Sequence, residues 1–307
     1  MEASGTIFEE SDLVFERVGL YCLKIDRSRD GLFSQLGAVI SILKICHNKQ
    51  LVPYIVLRNE LYLSEKHGEN VMEYFFTRKH PLSSEQKRLI KSIPIREVGE
   101  YVQIPGLIGT PVPTLAEGHR LFFLYYSLNL QIVDEVEIFR SKYFKAGRTL
   151  GLHIRGTDKT SEATPINIPS IISTVRRYLE NHRDIHQIFI ATDVSGLPEV
   201  FTKVFSFATV IWRAEEKRSY DKVPLHYSRS SDPYVKGKDA IINCLILSKC
   251  DILFKTMSNL SGWAKVLNPD IVVRLLNEPA QDGLKWLGFP EREMIESGWF
   301  TERDEKF

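Results

Sequence analysis

The stretch "TLGLHIRGTDKTSEA", Thr149 to Ala163, sets an apolar alternation directly against a His, an Arg, an Asp, a Lys and a Glu. If Leu150, Leu152 and Ile154 share one face of a strand, His153 and Arg155 point to the other, and Gly156 lets the backbone turn closely past a ligand. In open α/β sheets ligands bind beyond the carboxyl ends of the strands, where loops and helix N-termini converge. A strand that ends in this much charge therefore asks for a parallel sheet around it.

The flanking sequence supplies one. Beyond "KAGR" (145–148), "TLGLHIR" reads as a strand, "PSIISTVRRYLENH" as a helix with Pro169 in its first turn, and "HQIFIATD" as a strand ending in Asp193. "ATVIWR", "DILFKT" and "DIVVRLL" read as further strands, with helices at "KDAIINCLILSKC" and "SGWAKVLN" between them. Earlier in the chain, "GLYCLKI" (19–25), "GLFSQLGAVISILKICHNK" (31–49) and "LVPYIVL" (51–57) form one strand–helix–strand unit. Residues 60–147 are less regular, with a loop "IPGLIGTPVPT" and one long helical segment from "GHRLFFLYYSLNL" to "EIFRSKYF". The class is α/β, with an N-terminal domain over 1–147 and a C-terminal Rossmann-like domain over 148–307, whose tail has room to cross back. "AEEKRSYDKVPLHYSRSSDPY", between Arg213 and Val235, has no periodicity and is long for a connection in a compact domain, so it reads as a functional loop.

Composition limits the partners. Across 307 residues, 40 Lys plus Arg stand against 39 Asp plus Glu, so no summed field would hold nucleic acid or an anionic membrane, and any anion must be met locally. No run approaches the roughly 18 apolar residues of a membrane span, and the acidic start "MEASGTIFEESDLVF" lacks the pattern of a signal peptide. Cys22, Cys46, Cys244 and Cys250 lie in apolar surroundings without metal-binding spacing, which predicts buried free thiols and a cytoplasmic setting.

Three strand ends carry the candidate chemistry. At "HIRGTDK" the Arg155 fork suits a phosphate or pyrophosphate, with Gly156 and Lys159 beside it; an internal ion pair between Arg155 and Asp158 accounts for the same residues. At "KTMSNLSG" the hydroxyls and amides of Ser258, Asn259 and Ser261 precede a helix and favour an anion, or cap the helix. At "ATD", Asp193 caps a helix or accepts from a ribose or base. Neither G-x-G-x-x-G nor G-x-x-x-x-G-K-[ST] occurs, which removes the main support for a dehydrogenase or a P-loop NTPase. A nucleotide sugar fits better. No Asp-x-Asp occurs either, so no metal or other cofactor is expected, and the leaving diphosphate must be neutralised by Arg, Lys and helix dipoles.

"HIRGTDKTSEA", "IFIATD" and "DAIINCLILSKCDILFKTMSN", in that order, resemble the GDP-fucose-binding half of the α1,6-fucosyltransferases and nodulation-factor fucosyltransferases, and "DGLFSQLGAVISILKIC" resembles their first loop and helix. The resemblance implies a GT-B fold, two Rossmann-like domains facing a central cleft, with an N-terminal acceptor-side domain and a C-terminal donor domain. It places His153 against guanine and Arg155 on the β-phosphate, sets Ser258 and Asn259 near the phosphates, and matches Asp193 to the family's "ATD". It makes Glu162 the nearest match to the catalytic base, with Asp158 the alternative because the spacing is one residue shorter. Where the family carries an Asp that contacts guanine, this chain has Asn243, and Asp239, one helical turn earlier on the same face, could reach in instead; a plain polar helix face accounts for the same two residues. Asp30, Gly31 and Gln35 of "DGLFSQ" sit on the loop assigned to the acceptor side, and a plain turn and helix start accounts for them equally well.

The expected activity is an inverting, metal-independent transfer of fucose from GDP-fucose to a glycan hydroxyl. A non-catalytic nucleotide- or glycan-binding protein of the same fold, and a transferase for another nucleotide sugar, are the alternatives.

Overall fold

The computed structural model describes residues 10–26, 30–98, 111–156, 162–219, 232–280 and 287–298. The chain divides into two compact units, Met1–Asn129 with Asp232–Tyr234, and Leu130–Ser231 with Val235–Phe307.

The first unit runs α1 (Glu10–Arg17), β1 (Leu20–Asp26), α2 (Leu32–Lys49), β2 (Val52–Arg58), α3 (Val71–Phe75), β3 (Phe76–Arg78), α4 (Ser84–Ser92), β4 (Glu97–Val98), α5 (Leu115–Tyr125) and β5 (Tyr126–Leu128). β1 is central, parallel to β2 along its length and to β4 on its other side. The expected strand–helix–strand unit is thus present. α2 is apolar around most of its circumference and correspondingly buried, and it stops where Gln50 turns left-handed (φ 56°) and returns its N–H to the Cys46 and His47 carbonyls.

The single long helix expected from Gly118 to Phe144 is broken in two. Tyr126–Leu128 pairs antiparallel with Phe76–Arg78, and Phe76 and Tyr126 close on Phe122 with ring centroids 5.2 and 6.1 Å away. Burying three aromatics outweighs the helical pattern that runs through them.

The second unit opens with α6 (Leu130–Tyr143) and continues β6 (Arg148–Ile154), α7 (Ile168–Asn181), β7 (Ile185–Thr192), α8 (Leu197–Val204), β8 (Thr209–Ile211), α9 (Pro233–Ser248), β9 (Ile252–Lys255), α10 (Asn259–Leu267), β10 (Val272–Leu275) and α11 (Glu291–Glu296). α6 belongs here because Phe139 packs on Phe189 of β7 (6.0 Å) and Glu135 pairs with Lys238 of α9 (2.6 Å). The second compact unit therefore takes in α6, from Leu130. Among the described residues near the C-terminus, Phe289 stands edge-on to Trp263 of α10.

The sheet of the second unit is wholly parallel in the order β10-β9-β6-β7-β8. β6 to β8 step one way, α9 crosses back, and β9 and β10 step the other way. That is a doubly wound sheet with its switch point between β6 and β9. β6 and β7 are buried on both faces, as central parallel strands are. One face carries Leu150, Leu152, Ile154, Ile188, Ile190 and Phe254 against Ile171 and Val175 of α7 and Phe201 of α8. On the other face Gly151 lies under α9, where an added Cβ would stand 3.1 Å from Cys250 Sγ and 3.3 Å from Leu247.

All four cysteines are buried and free, and no helix among the described residues is long and apolar enough to cross a membrane.

Gly262 of α10 has no room for a methyl group, because a Cβ there would overlap the Glu291 carboxylate and stand 2.9 Å from Pro290 Cγ, whereas nothing lies within 4 Å of one at Gly288. Gly262→Ala is expected to cost about 1–3 kcal/mol of unfolding free energy and Gly288→Ala under about 0.5 kcal/mol. Urea denaturation of the two variants checks this; equal losses would contradict it.

Candidate functional site

The carboxyl ends of β6 and β9 are joined by one residue. The Thr256 N–H donates to the His153 carbonyl (3.0 Å), and Thr256 Oγ1 accepts from the Arg155 N–H (2.9 Å). His153, Arg155 and the start of α10 are thereby set side by side at the switch point. Next along, the Gly156 N–H donates to Asp193 Oδ1 (2.9 Å), tying the ends of β6 and β7. A Cβ on Gly156 would meet Val194 Cγ2 at 2.5 Å, so only glycine fits this approach. Asp193 is not the cap of α8, whose N-cap is Gly196; it holds the turn after Arg155.

His153 is 6% exposed and its Nδ1 has no hydrogen-bond partner among the described residues. Burial, with the positive charges of Lys255 and Arg155 beside it, drives its pKa down to about 3, so the ring is neutral at physiological pH. Lys255, opposite His153 in the β6–β9 register, is fully buried and its ammonium donates to both carboxylate oxygens of Glu291 of α11 (2.7 and 2.9 Å). Neither member of this pair was singled out in the sequence, since a Lys inside "DILFKT" becomes informative only once a carboxylate 36 residues away is placed beside it.

Among the described residues α10 begins without a side-chain cap: Ser258, at its N-cap and 2% exposed, makes no capping bond, and Asn259 Oδ1 is buried without a partner. The first-turn N–H groups and the positive end of the helix dipole are left to meet an anion beside Arg155. Glu162 is fixed at the same end of the sheet. Its carbonyl accepts from Ala280, the Thr164 N–H donates to the Glu278 carbonyl, and Ala163 packs on Met257, next to Ser258. Asp158 and Lys159 lie outside the described residues.

The α9 side was half anticipated. Leu247 stands over Gly151, so Asn243, one turn towards the N-terminus, lies over His153, two residues further along the strand; both steps are about 6 Å. Asn243 is buried, its Nδ2 donates to Glu216 Oε1 (2.5 Å), and its Oδ1 is without a partner among the described residues. Asp239, one turn before Asn243 on α9, pairs with Arg213 (2.8 Å). Burial raises the Asp239 carboxyl above its usual range, against the pull of that arginine. Glu216 and its partner Arg218 (3.3 Å) come from the aperiodic segment after β8, of which 220–231 lie outside the described residues. Burial lifts Glu216 to about 7 against the opposing pull of Arg218 and Arg213. This segment is fastened beside Asp193, where the Ser219 N–H donates to the Asp193 carbonyl (2.8 Å) and the Ser195 N–H to the Ser219 carbonyl (3.0 Å).

In the first unit, Gly31 is the N-cap of α2, Gln35 is fully buried in that helix, and the Asp30 carbonyl accepts from Asn59 (2.9 Å). Gly31 and Gln35 thus serve helix entry and core.

The fold is that of solved fucosyltransferases. A NodZ α-1,6-fucosyltransferase soaked with GDP-fucose is 14% identical over 81% of this chain and 93% of that one, with a TM-score of 0.51. The fucosyltransferase NodZ from Bradyrhizobium is 15% identical over the same shares, also at 0.51. POFUT1 in its apo form is 9% identical over 83% of this chain and 97% of that one, at 0.50. No protein-family model and no curated protein matches the sequence.

A neutral buried His153 ties stability to acid. Its folded pKa, about 3, lies below the unfolded value near 6.5, so its protonation opposes the native state as pH falls through that interval. His153→Gln is expected to flatten the fall in melting temperature between about pH 6.5 and 3. Parallel profiles for the two proteins would contradict this.

Proposed function

We propose that this protein is an inverting, metal-independent glycosyltransferase that moves fucose from GDP-fucose to a glycan hydroxyl. The observation that carries the reading is the switch point itself: Arg155 stands beside an uncapped helix start at Ser258, next to an unpartnered, neutral His153. A diphosphate meets the Arg155 guanidinium with two of its oxygens and the α10 N–H groups with others, and both charges act most strongly as the leaving group gains negative charge. Likeness of fold to a fucosyltransferase soaked with GDP-fucose supports fucose as the donor sugar.

In this reading a carboxylate takes the proton of the acceptor hydroxyl as it attacks the anomeric carbon, and Glu162 is the residue assigned to it, with Asp158 the other choice. Arg155 and the α10 start receive the charge of the departing GDP. His153 and Asn243 face the base. The first unit supplies the acceptor side.

Arg155→Lys keeps the charge and loses the fork, so kcat with GDP-fucose and a glycan acceptor panel should fall by about 10²–10³, the scale of one preorganised oxyanion donor. Unliganded stability should change by less than about 1 kcal/mol. A destabilised protein that turns over normally once folded would overturn the phosphate role and restore Arg155 to a structural ion pair. Glu162→Gln and Asp158→Asn separate the two candidate bases: the true one loses about 10²–10⁴ in rate with GDP binding unchanged. EDTA should leave turnover intact; activity lost to EDTA and restored by Mn²⁺ would refute the metal-free mechanism.

A further inference from the structure

We propose that Glu216 sets the direction of the Asn243 amide, so that a nucleobase in this site meets the Oδ1 acceptor and a base with a ring N–H donor is selected. The inference rests on the reading of this site as a nucleotide-sugar site.

An amide side chain can present either end, and the neighbour behind it decides which. Glu216 Oε1 lies 2.5 Å from Asn243 Nδ2, while Arg218 Nη2 holds Oε2 at 3.3 Å. A carboxylate only accepts, so it takes the N–H₂ end of Asn243 and leaves Oδ1 facing away. That oxygen is buried without a partner among the described residues, as is Nδ1 of His153, and the helical pitch from Leu247 over Gly151 sets Asn243 level with His153. Two unsatisfied polar atoms over one strand end are costly unless a ligand engages them. An outward acceptor suits guanine, whose ring N1 carries a hydrogen, and opposes adenine, whose N1 is itself an acceptor. Asp239 is taken up by Arg213, which leaves Asn243 as the polar group of α9 in this position.

Protonation of Glu216 would reverse the arrangement. A carboxylic acid whose oxygen is still claimed by Arg218 turns its O–H towards Asn243, which must then accept through Oδ1 and show Nδ2 to the base. The charged groups around Glu216 are Arg218 and Arg213 on its own segment and Asp239 on α9, with Glu135 of α6 and Lys238 of α9 beyond Arg213. With its carboxyl raised to about 7, the change of direction falls in the neutral range.

The test is calorimetric titration of the whole chain with GDP and with ADP, read as the ratio of their dissociation constants. The ratio cancels the diphosphate, common to both, and the ionisation of its phosphates. In Glu216→Gln the amide oxygen is claimed by Arg218 and the N–H₂ turns to Asn243, so the preference for GDP over ADP should shrink by about tenfold or more. A ratio unchanged by Glu216→Gln, with GDP still bound, overturns this inference and leaves the donor-site reading standing. If the variant does not fold, the unmodified protein decides. Its GDP preference should rise between about pH 6 and 8 as Glu216 ionises, while His153 stays neutral throughout, and a flat ratio overturns the inference. Binding of neither nucleotide overturns the donor-site reading and this inference with it.

Discussion

Thr256 joins the two strand ends on which this site depends. Its backbone N–H holds the His153 carbonyl and its hydroxyl holds the Arg155 N–H, so β6 and β9 end in fixed register at the point where the strand order reverses. From that joint His153, the Arg155 backbone and the first turn of α10 take their positions. The Asp193 bond to Gly156 repeats the device one strand over. Preorganised donors on rigid strand ends stabilise developing charge most effectively, because little reorganisation accompanies the reaction.

Buried charge is the second organising feature. Lys255 and Glu291 neutralise each other beneath the site, and Lys255 with Arg155 keeps His153 neutral by adding positive field to its desolvation. Removing one member of such a pair leaves an uncompensated buried charge, so the pair constrains the chain more than it stabilises it. It also explains why α11 and α10 meet as closely as they do: Gly262 admits the Glu291 carboxylate only because it has no side chain. On the α9 side a second set of charges, Arg213 with Asp239 and Arg218 with Glu216, surrounds Asn243.

The parallel architecture of the second unit was legible because its strands are apolar runs bounded by clear helices, and His153 and Arg155 could be placed at a strand end because they interrupt one of those runs where β6 ends. Asp193 was found by position and misread in part, since its partner, the Gly156 N–H, belongs to another strand. Asp239 was placed on the right face, but Arg213 reaches it from a segment with no periodic signal. Lys255, Glu291 and Glu216 carried no local mark at all: each acquires meaning from a partner 27 or 36 residues away. The break at β5 was hidden for a related reason, because a three-residue strand is decided by its partner Phe76–Arg78 and by the aromatics it buries.

The central claim is that the diphosphate of a sugar nucleotide sits between Arg155 and the start of α10. A crystal structure of the protein grown with GDP tests it most directly. The account predicts phosphate oxygens within about 3 Å of the Arg155 guanidinium and of the first N–H groups of α10 at Ser258 and Asn259. A diphosphate bound elsewhere, with Arg155 and Ser258 untouched, would contradict it.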